Sequence, residues 1–308
     1  MNRESFIAVE WGTAKIRARL LTATGDIVDQ MIEEVRLVDL DRAAQVARLA
    51  HLRQRWPSAS ETLWLAGMVG SPIGLESVPH LPCPATPAQL ARHARQTMIA
   101  GMPLRILPGL SCTSRFGDYD VMRGEEVAAA GLIGHCDLVD AVLLSVPGMH
   151  GKWIEMGRAR IERFHTSMTA ELHALIAERS ILAPLTQAAP HDGDAFRAGL
   201  TLAADGGSPA RLLFSARSRV LAKHLTEEDA ASFIWGVLIG SDVRENLPGP
   251  GDAARQYFVT GGGRAAPLFR AALAHLGAKV EVIDNDHLTA HGFATIRQFS
   301  AEGNTFDD

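Results

Sequence analysis

Three glycine-rich turns are the segments of this chain best suited to bind an anion, because each follows an apolar, strand-like run. They comprise residues 10–13, 147–152 and 260–263. Successive backbone N–H groups in such a turn, with no side chain in the way, form a concave site for a phosphate group. The first turn alone also fits an ordinary hairpin turn. The three together indicate a phosphate ligand.

Two adjacent carboxylates are the second group that could do chemistry. Glu125 and Glu126 stand at the start of a predicted helix, directly after Arg123 and Gly124. A carboxylate pair at a helix N-terminus often does no more than complement the helix dipole. A general base beside a bound anion would show the same pattern. The residues alone leave both interpretations open.

Other nucleotide-binding and hydrolase motifs are incomplete. The turn at 147–152 resembles the end of a P-loop, but Val146 and Trp153 stand where that motif needs a glycine and a Ser or Thr. No Gly-x-Gly-x-x-Gly follows the first strand, and residues 67–71 lack the Gly-x-Ser-x-Gly of a hydrolase. The sequence therefore favours neither a P-loop enzyme, nor a nicotinamide enzyme, nor a serine hydrolase.

The bulk composition is typical of a globular protein without an extended basic surface. Of 308 residues, 47% are hydrophobic and 21% charged, and the net charge is -5. This balance argues against a nucleic-acid or membrane-surface partner. No apolar run approaches transmembrane length, and the N-terminal residues lack a secretory h-region. Three widely spaced cysteines, with no CxxC pair, suit a reducing compartment, so we expect a cytoplasmic protein without a structural metal site.

Strand-like and helical segments alternate along the chain, which predicts an α/β fold. The length predicts two domains, which we place at residues 1–137 and 138–308. The predicted strands are 7–9, 16–21, 27–34, 63–66, 104–107, 141–146, 152–156, 160–163, 257–260 and 280–283. The predicted helices are 41–55, 87–98, 125–132, 169–178, 194–202, 209–223, 227–240, 266–276 and 288–299. Each half opens with a hairpin and then alternates, so the two domains are expected to share one plan.

Seven short segments, in order over nearly the whole chain, carry a family resemblance. They are GMVGS (67–71), PGL (108–110), VMRGEE (121–126), PGMHGKW (147–153), FHTSMTAEL (164–172), LFSAR (213–217) and GVLIG (236–240). With the three glycine-rich turns, this order resembles the sugar kinases of the actin-like ATPase superfamily. Within that superfamily it is most similar to the 2-dehydro-3-deoxygalactonokinase family.

The resemblance implies two ribonuclease-H-like domains flanking a central cleft for nucleotide and substrate. It implies ATP and Mg²⁺ as cofactors and a small sugar acid, 2-dehydro-3-deoxy-D-galactonate, as the substrate phosphorylated on its terminal (C6) hydroxyl. Neither nucleic acid nor membrane is expected as a partner, and a homodimer is one option for the oligomeric state.

The resemblance also assigns roles to individual residues. Glu125 is the expected general base, and Glu10 is the expected metal ligand. The phosphate and nucleotide contacts fall on Gly12, Thr13, Lys15, Gly148, Met149, His150, Gly261, Gly262 and Gly263. Gly70, Ser71 and Arg123 are expected to hold the sugar acid, where an arginine can bind a carboxylate through two hydrogen bonds.

Three residues in the phosphate turns depart from the family pattern. Glu10 stands where the family has Asp, Met149 where it has Thr, and Lys15 where it usually has Asn. Mg²⁺ tolerates little displacement of its ligands, and a methionine offers no hydroxyl to a phosphate oxygen. Two alternatives therefore stay open beside the kinase: a kinase for a related keto-deoxy sugar acid, and a weakened sensor that binds nucleotide or sugar acid.

Overall fold

A computed structural model describes residues 5–247 and 255–302 of the chain, the latter range without the side chains of its last two residues. Its strands, in chain order, are β1 (Phe6–Trp11), β2 (Lys15–Leu21), β3 (Ile27–Glu34), β4 (Leu63–Gly67), β5 (Leu81–Pro82), β6 (Arg95–Ile99), β7 (Met102–Ile106), β8 (Leu110–Thr113), β9 (Tyr119–Met122), β10 (Ala141–Val146), β11 (Gly151–Gly157), β12 (Arg160–Ser167), β13 (Gln256–Gly261) and β14 (Val280–Val282). Its α-helices are α1 (Arg42–Arg55), α2 (Pro87–Arg92), α3 (Glu125–His135), α4 (Thr169–Arg179), α5 (Asp194–Ala204), α6 (Pro209–Leu221), α7 (Glu227–Asn246), α8 (Ala265–His275) and α9 (Asn285–Glu302).

The chain packs into two compact units. The first comprises Met1–Val139, Ile154–His165 and Asp284–Asp308, and the second comprises Asp140–Trp153 and Thr166–Ile283. Compactness describes packing and not independent folding, so the domain boundary after residue 137 stays a prediction.

The first sheet has the strand order β3-β2-β1-β4-β7-β6. β1, β2 and β3 are joined by antiparallel pairing, whereas β1, β4 and β7 run parallel. The second sheet has the order β12-β11-β10-β13-β14, in which β10, β13 and β14 run parallel. In both sheets three consecutive strands form one side, and strands from later in the chain form the other. The predicted α/β fold is confirmed, and the repeated strand order is in keeping with two ribonuclease-H-like domains.

Local signals set the boundaries of several helices as the sequence predicts. The Asp41 side chain caps α1 by accepting a hydrogen bond from the Ala44 N–H at 2.7 Å. Thr86 and Gln89 form a capping box at the start of α2, where Pro87 takes the first helical position. None of the helices in the described ranges is long and apolar enough to cross a membrane.

The predicted helix at 87–98 is wrong in its second half. α2 ends at Arg92, and residues Arg95–Ile99 form β6, antiparallel to β7. Ala100 and Gly101 connect the two strands with φ of 49° and 77°. Two consecutive residues with positive φ make a turn that matches the twist of a hairpin. Pairing with β7 therefore overrides the weak helical spacing of this segment.

α3 is held against α9 at two glycines. A Cβ atom on Gly131 would lie 2.0 Å from the carbonyl oxygen of Leu288, and one on Gly292 would lie 1.8 Å from that of Val127. Only glycine permits backbones to approach so closely. The last helix of the described chain thus fixes the helix that begins with Glu125.

Candidate active site

The ends of β1 and β4 and the start of α3 meet in the first unit. Gly67 pairs with Trp11 across the two strands and has φ of 87°. A Cβ atom there would lie 2.5 Å from the Trp11 carbonyl oxygen, and one on Gly124 would lie 3.6 Å from the Gly67 Cα. The backbone of Gly124 therefore rests on the carboxyl ends of two parallel strands, the edge at which α/β sheets bind ligands.

Glu125 and Glu126 begin α3 but have different surroundings. Glu126 is fully buried, and its Oε2 accepts a hydrogen bond of 2.6 Å from the Gly124 N–H. Burial, together with the negative charge of Glu125, raises the pKa of Glu126 to about 8. Glu126 is therefore mostly protonated at neutral pH. Glu125 is half-buried, at the first position of the helix, so it is the member of the pair placed to meet a ligand.

Arg123 lies directly before these carboxylates and is held at one end of its guanidinium. Its Nη2 donates to the Val78 carbonyl oxygen at 2.7 Å. Its Nη1 is buried and has no hydrogen-bond partner among the described residues. That nitrogen faces Gly70, where a Cβ atom would come within 2.9 Å of it. A buried cationic donor without a partner is costly, which indicates an anionic ligand.

Gly70 lies next to Arg123, as the sequence predicts, but the hydroxyl of the neighbouring Ser71 is already hydrogen-bonded. The Ser71 side chain is 5% exposed, and its Oγ donates to the Met68 carbonyl oxygen at 2.7 Å. Its hydroxyl proton is therefore used within the protein. Gly70, by contrast, packs against the free end of Arg123, where a side chain would not fit.

Glu10 faces two arginines from the neighbouring strand. Its Oε1 lies 3.6 Å from Arg17 Nη1, and its Oε2 lies 3.4 Å from Arg19 Nη1. Arg19 is buried and also pairs with Asp286 at 2.5 Å. Magnesium needs carboxylate oxygens that approach the ion directly, at about 2.1 Å. The arrangement at Glu10 does not fit a magnesium ligand, because both oxygens of its carboxylate face guanidinium groups.

The metal question extends to the rest of the described chain. Within residues 5–247 and 255–302, no group of three or more His, Cys, Asp or Glu side chains is arranged to hold a metal ion.

The remaining residues of the first turn are Gly12, whose N–H donates to the Lys15 carbonyl oxygen at 2.9 Å, and the exposed Thr13. Lys15 Nζ pairs with Glu34 at 3.2 Å, in an exposed pair that contributes little stability.

The other two glycine-rich turns lie side by side in the second unit. β10 and β13 run parallel, and Val146 pairs with Gly261 at their ends. Gly261 has φ of 131°, and a Cβ atom there would strike the Val146 carbonyl oxygen at 2.1 Å. A Cβ atom on Gly148, Gly262 or Gly263 would meet nothing within 4 Å. The structure thus places these predicted phosphate-binding backbones together, with open space in front of them.

Met149 and His150 are exposed at the tip of the turn after β10. The Glu171 N–H donates to the Met149 carbonyl oxygen at 3.2 Å. The Glu171 carboxylate lies 2.5 Å from His150 Nε2. The first turn of α4 therefore holds the shape of this turn.

Asp242, on α7, anchors the segments that follow the same turn. It is partly buried, and its carboxylate accepts hydrogen bonds from Trp153 Nε1 at 2.9 Å and from Thr169 Oγ1 at 2.6 Å. The Ser167 hydroxyl also donates to it. Burial raises the pKa of Asp242, while these hydrogen bonds oppose that shift. Asp242 ties β11, β12 and the start of α4 together.

We expect Asp242→Ala to lower the free energy of unfolding by about 3 kcal/mol, because it removes the carboxylate that accepts hydrogen bonds from Trp153, Ser167 and Thr169. Asp242→Asn keeps one acceptor oxygen and should lose less than half as much. Urea unfolding at pH 7 measures both. An alanine variant as stable as the wild type would show that the donors find other acceptors.

His173, in the second unit, makes the stability of the protein depend on pH. His173 stacks on Trp235 with ring centroids 4.2 Å apart, and burial lowers its pKa to about 4. Because the folded state resists protonation that the unfolded state accepts near pH 6.5, stability falls as the pH drops from 6.5 toward 4. After allowance for partial exposure, the loss is about 2 kcal/mol.

His173→Phe keeps the stack and removes the titration, so we expect the variant to lose about 2 kcal/mol less than wild type between pH 7 and 4.5. Chemical unfolding at the two pH values tests this. His224→Gln, at an exposed histidine of the same unit, is the matched control. Equal acid sensitivity in wild type and His173→Phe would assign the effect to other groups.

Sequence comparison decides the family. The sequence profile of 2-keto-3-deoxy-galactonokinase matches residues 10–296. The chain belongs to the 2-keto-3-deoxy-galactonokinase family. The resemblance recognised in its sequence segments is therefore confirmed.

Curated and solved relatives agree with membership of this family of phosphotransferases. The chain is 30% identical over 294 residues to 2-dehydro-3-deoxygalactonokinase of Escherichia coli (strain K12), covering 94% of this chain and 97% of that protein. It is also 30% identical to a probable 2-dehydro-3-deoxygalactonokinase, DgoK1, of Rhizobium meliloti (strain 1021), with 94% and 95% of the two chains covered. The crystal structure of a candidate 2-dehydro-3-deoxygalactonokinase from Sinorhizobium meliloti superposes with a TM-score of 0.85 at 27% identity, covering 95% of this chain and 98% of that one.

Family membership leaves the roles of individual residues as predictions, and the structure adds residues that the sequence did not single out. His80 lies 3.3 Å from Arg123 Nη2 through its Nε2, and Asp242 anchors the second phosphate turn. The sequence spacing does not point to His80, because only the fold of the loop after residue 70 brings it to Arg123. Asp242 follows directly on the GVLIG segment, which could have pointed to it.

Proposed function

We propose that this member of the 2-keto-3-deoxy-galactonokinase family is an ATP-dependent kinase. Its substrate would be 2-dehydro-3-deoxy-D-galactonate, phosphorylated on the C6 hydroxyl with Glu125 as general base. The observation that carries the proposal is the arrangement at the start of α3, where Glu125 follows an arginine with a free, buried donor. Family membership supports the phosphotransferase reaction, and this arrangement supports a sugar acid as acceptor.

Arg123 and Glu125 have different roles in the proposed reaction. Arg123 binds the carboxylate of the acid and thereby fixes the far end of the molecule. Glu125 accepts the proton of the C6 hydroxyl as its oxygen attacks the γ-phosphorus of ATP, and the bond to the β,γ-bridging oxygen breaks to release ADP. Phosphoryl transfer asks little covalent chemistry of the protein, so placement of the hydroxyl supplies most of the rate.

Backbone N–H groups are the proposed phosphate contacts. The turns at Gly148 and at 261–263 have open space in front of their backbones, which suits an anion. Gly12 and Thr13 are proposed as a further phosphate turn, with Lys15, Met149 and His150 beside these contacts. Mg²⁺ enters the proposal only as the ion that accompanies ATP in solution, because Glu10 is engaged by arginines.

The proposal is tested by measuring ADP release with MgATP and a panel of 2-keto-3-deoxy sugar acids. Turnover of the galactonate-derived acid, with phosphate found on C6 of the product by ³¹P NMR, is the expected result. Faster turnover of another acid in the panel would favour the first alternative, a kinase for a related keto-deoxy sugar acid.

Light scattering on the same sample tests the proposal that the protein is a homodimer. The proposed site of action is the cytoplasm, where ATP is available.

Two observations favour a second candidate, a sensor that binds nucleotide or sugar acid with little turnover. Both oxygens of Glu10 face guanidinium groups, and the exposed Met149 has no hydroxyl for a phosphate oxygen. Calorimetric titration with ATP and with the acid separates the candidates. Binding of either ligand without ADP release would identify the sensor.

A further inference from the structure

The guanidinium of Arg123 is fixed from one side only. Nη2 is hydrogen-bonded to the Val78 carbonyl oxygen, whereas Nη1 is buried and without a partner in the described chain. A single hydrogen bond leaves a planar group free to turn about that contact. A second contact is needed to present Nη1 in one direction, and His80 makes it.

His80 can act toward Arg123 only as a hydrogen-bond acceptor. Its Nε2 lies 3.3 Å from Arg123 Nη2, and an arginine always donates. The geometry therefore requires the neutral imidazole with its proton on Nδ1. Burial, and then the charge of Arg123, lowers the pKa of His80, which favours this neutral form.

The surrounding backbone holds the ring in place. The Leu81 N–H donates to the Gly109 carbonyl oxygen at 2.9 Å. A Cβ atom on Gly109 would lie 2.8 Å from His80 Cδ2 and 3.1 Å from Arg123 Cβ, so the ring and the arginine pack over the same glycine. The charged groups that act on this pair are Arg123 itself and Glu126, the latter on α3.

We infer that His80 is a positioning residue that orients the Arg123 guanidinium, so that Nη1 meets the carboxylate of a sugar-acid substrate. The inference rests on the proposed function and deepens it, since it makes recognition of the acid depend on a neutral histidine. A protonated His80 would place a donor and a positive charge opposite Arg123, and the carboxylate would lose its aligned partner.

The test compares His80→Leu with His80→Gln. Leucine removes the acceptor, whereas the glutamine side-chain oxygen can take the place of Nε2 without titrating. Steady-state rates are measured from pH 5 to 8 with 2-dehydro-3-deoxy-D-galactonate and ATP. Calorimetric titration with the acid alone is run beside them, and circular dichroism confirms that each variant is folded.

We expect His80→Leu to raise KM for the acid about 10-fold while leaving KM for ATP and kcat within about 2-fold. His80→Gln should stay near wild type at pH 7. In wild type, KM for the acid should rise toward the acidic end of this range, and His80→Gln should remove that rise.

Two results would overturn the inference while leaving the kinase intact. In one, His80→Leu and His80→Gln have the same KM for the acid as wild type. In the other, both variants raise the KM values of acid and ATP alike, which a merely structural role would produce. If wild type neither turns over nor binds any acid of the panel, the proposed function itself fails and the role of His80 fails with it.

Discussion

Glu125→Gln is expected to lower kcat for phosphorylation of the sugar acid by about a thousandfold, with KM for both substrates changed by less than about threefold. A positioned general base contributes roughly 10² to 10⁴ in rate, and glutamine keeps the shape of glutamate without its basicity. The loss should therefore fall on the chemical step and not on binding. The coupled ADP-release assay at saturating substrates measures it.

The neighbouring carboxylate provides a matched control. Glu126 is buried and mostly protonated at neutral pH, so Glu126→Gln replaces one neutral group by another. We expect this variant to keep kcat within about threefold at pH 7, because it makes no charge change there. Equal losses in both variants would point to a structural role for the pair, and an unimpaired Glu125→Gln would remove the proposed base.

The raised pKa of Glu126 also predicts how Glu126→Gln and wild type differ in stability. The folded state holds a proton that the unfolded state releases above about pH 4.5, so this contribution is full below pH 4.5 and is lost as the pH rises through 8. Glu126→Gln removes this dependence. Its melting temperature at pH 8 should therefore equal or exceed that of wild type, whereas at pH 5 it should not.

Arg123→Lys is expected to raise KM for the sugar acid about 100-fold and to leave KM for ATP within about twofold. Lysine keeps the positive charge, but its single ammonium group cannot both make the Val78 and His80 contacts of Nη2 and place a donor where Nη1 lies. Hydrogen bonds to charged groups contribute about 1.5–3 kcal/mol, which corresponds to this change in affinity. Initial rates with each substrate varied in turn measure the two constants.

Arg36→Lys is the control for a change of cation type. Arg36 pairs with Asp39 at 3.8 Å, and its side chain is 68% exposed, so the variant should match wild type in every constant. If Arg123→Lys raised KM for ATP more than for the acid, Arg123 would belong to the nucleotide contacts. An acid whose carboxylate is replaced by an alcohol should show no difference between wild type and Arg123→Lys.

The features that could be predicted from sequence are those set by local pattern and strand direction. Alternating strands and helices gave the α/β class, and the glycines after β10 and β13 lie side by side because those strands run parallel. Glycine 124 before a carboxylate marked the start of α3, where the helix indeed begins at Glu125.

Contacts made through tertiary structure could not be predicted in the same way. His80 meets Arg123 across 43 positions of sequence, along a loop without periodicity. The helix predicted over 87–98 failed in its second half because pairing with β7 outweighs local preference. The arginines around Glu10 could have been predicted, because Arg17 and Arg19 lie on one face of β2 and Arg17 is the strand partner of Glu10.

The glycine contacts between α3 and α9 bear on how the protein is made. The first compact unit needs residues from Asp284 onward, whereas the second is complete at Ile283. A ribosome that adds about 5–20 residues per second takes roughly 8–30 s to reach α9 after it has finished α3. During that time the glycine face of α3 has no partner. We therefore expect the first unit, which contains the earliest residues of the chain, to be completed last, and a chain truncated after Ile283 to leave α3 without its packing partner.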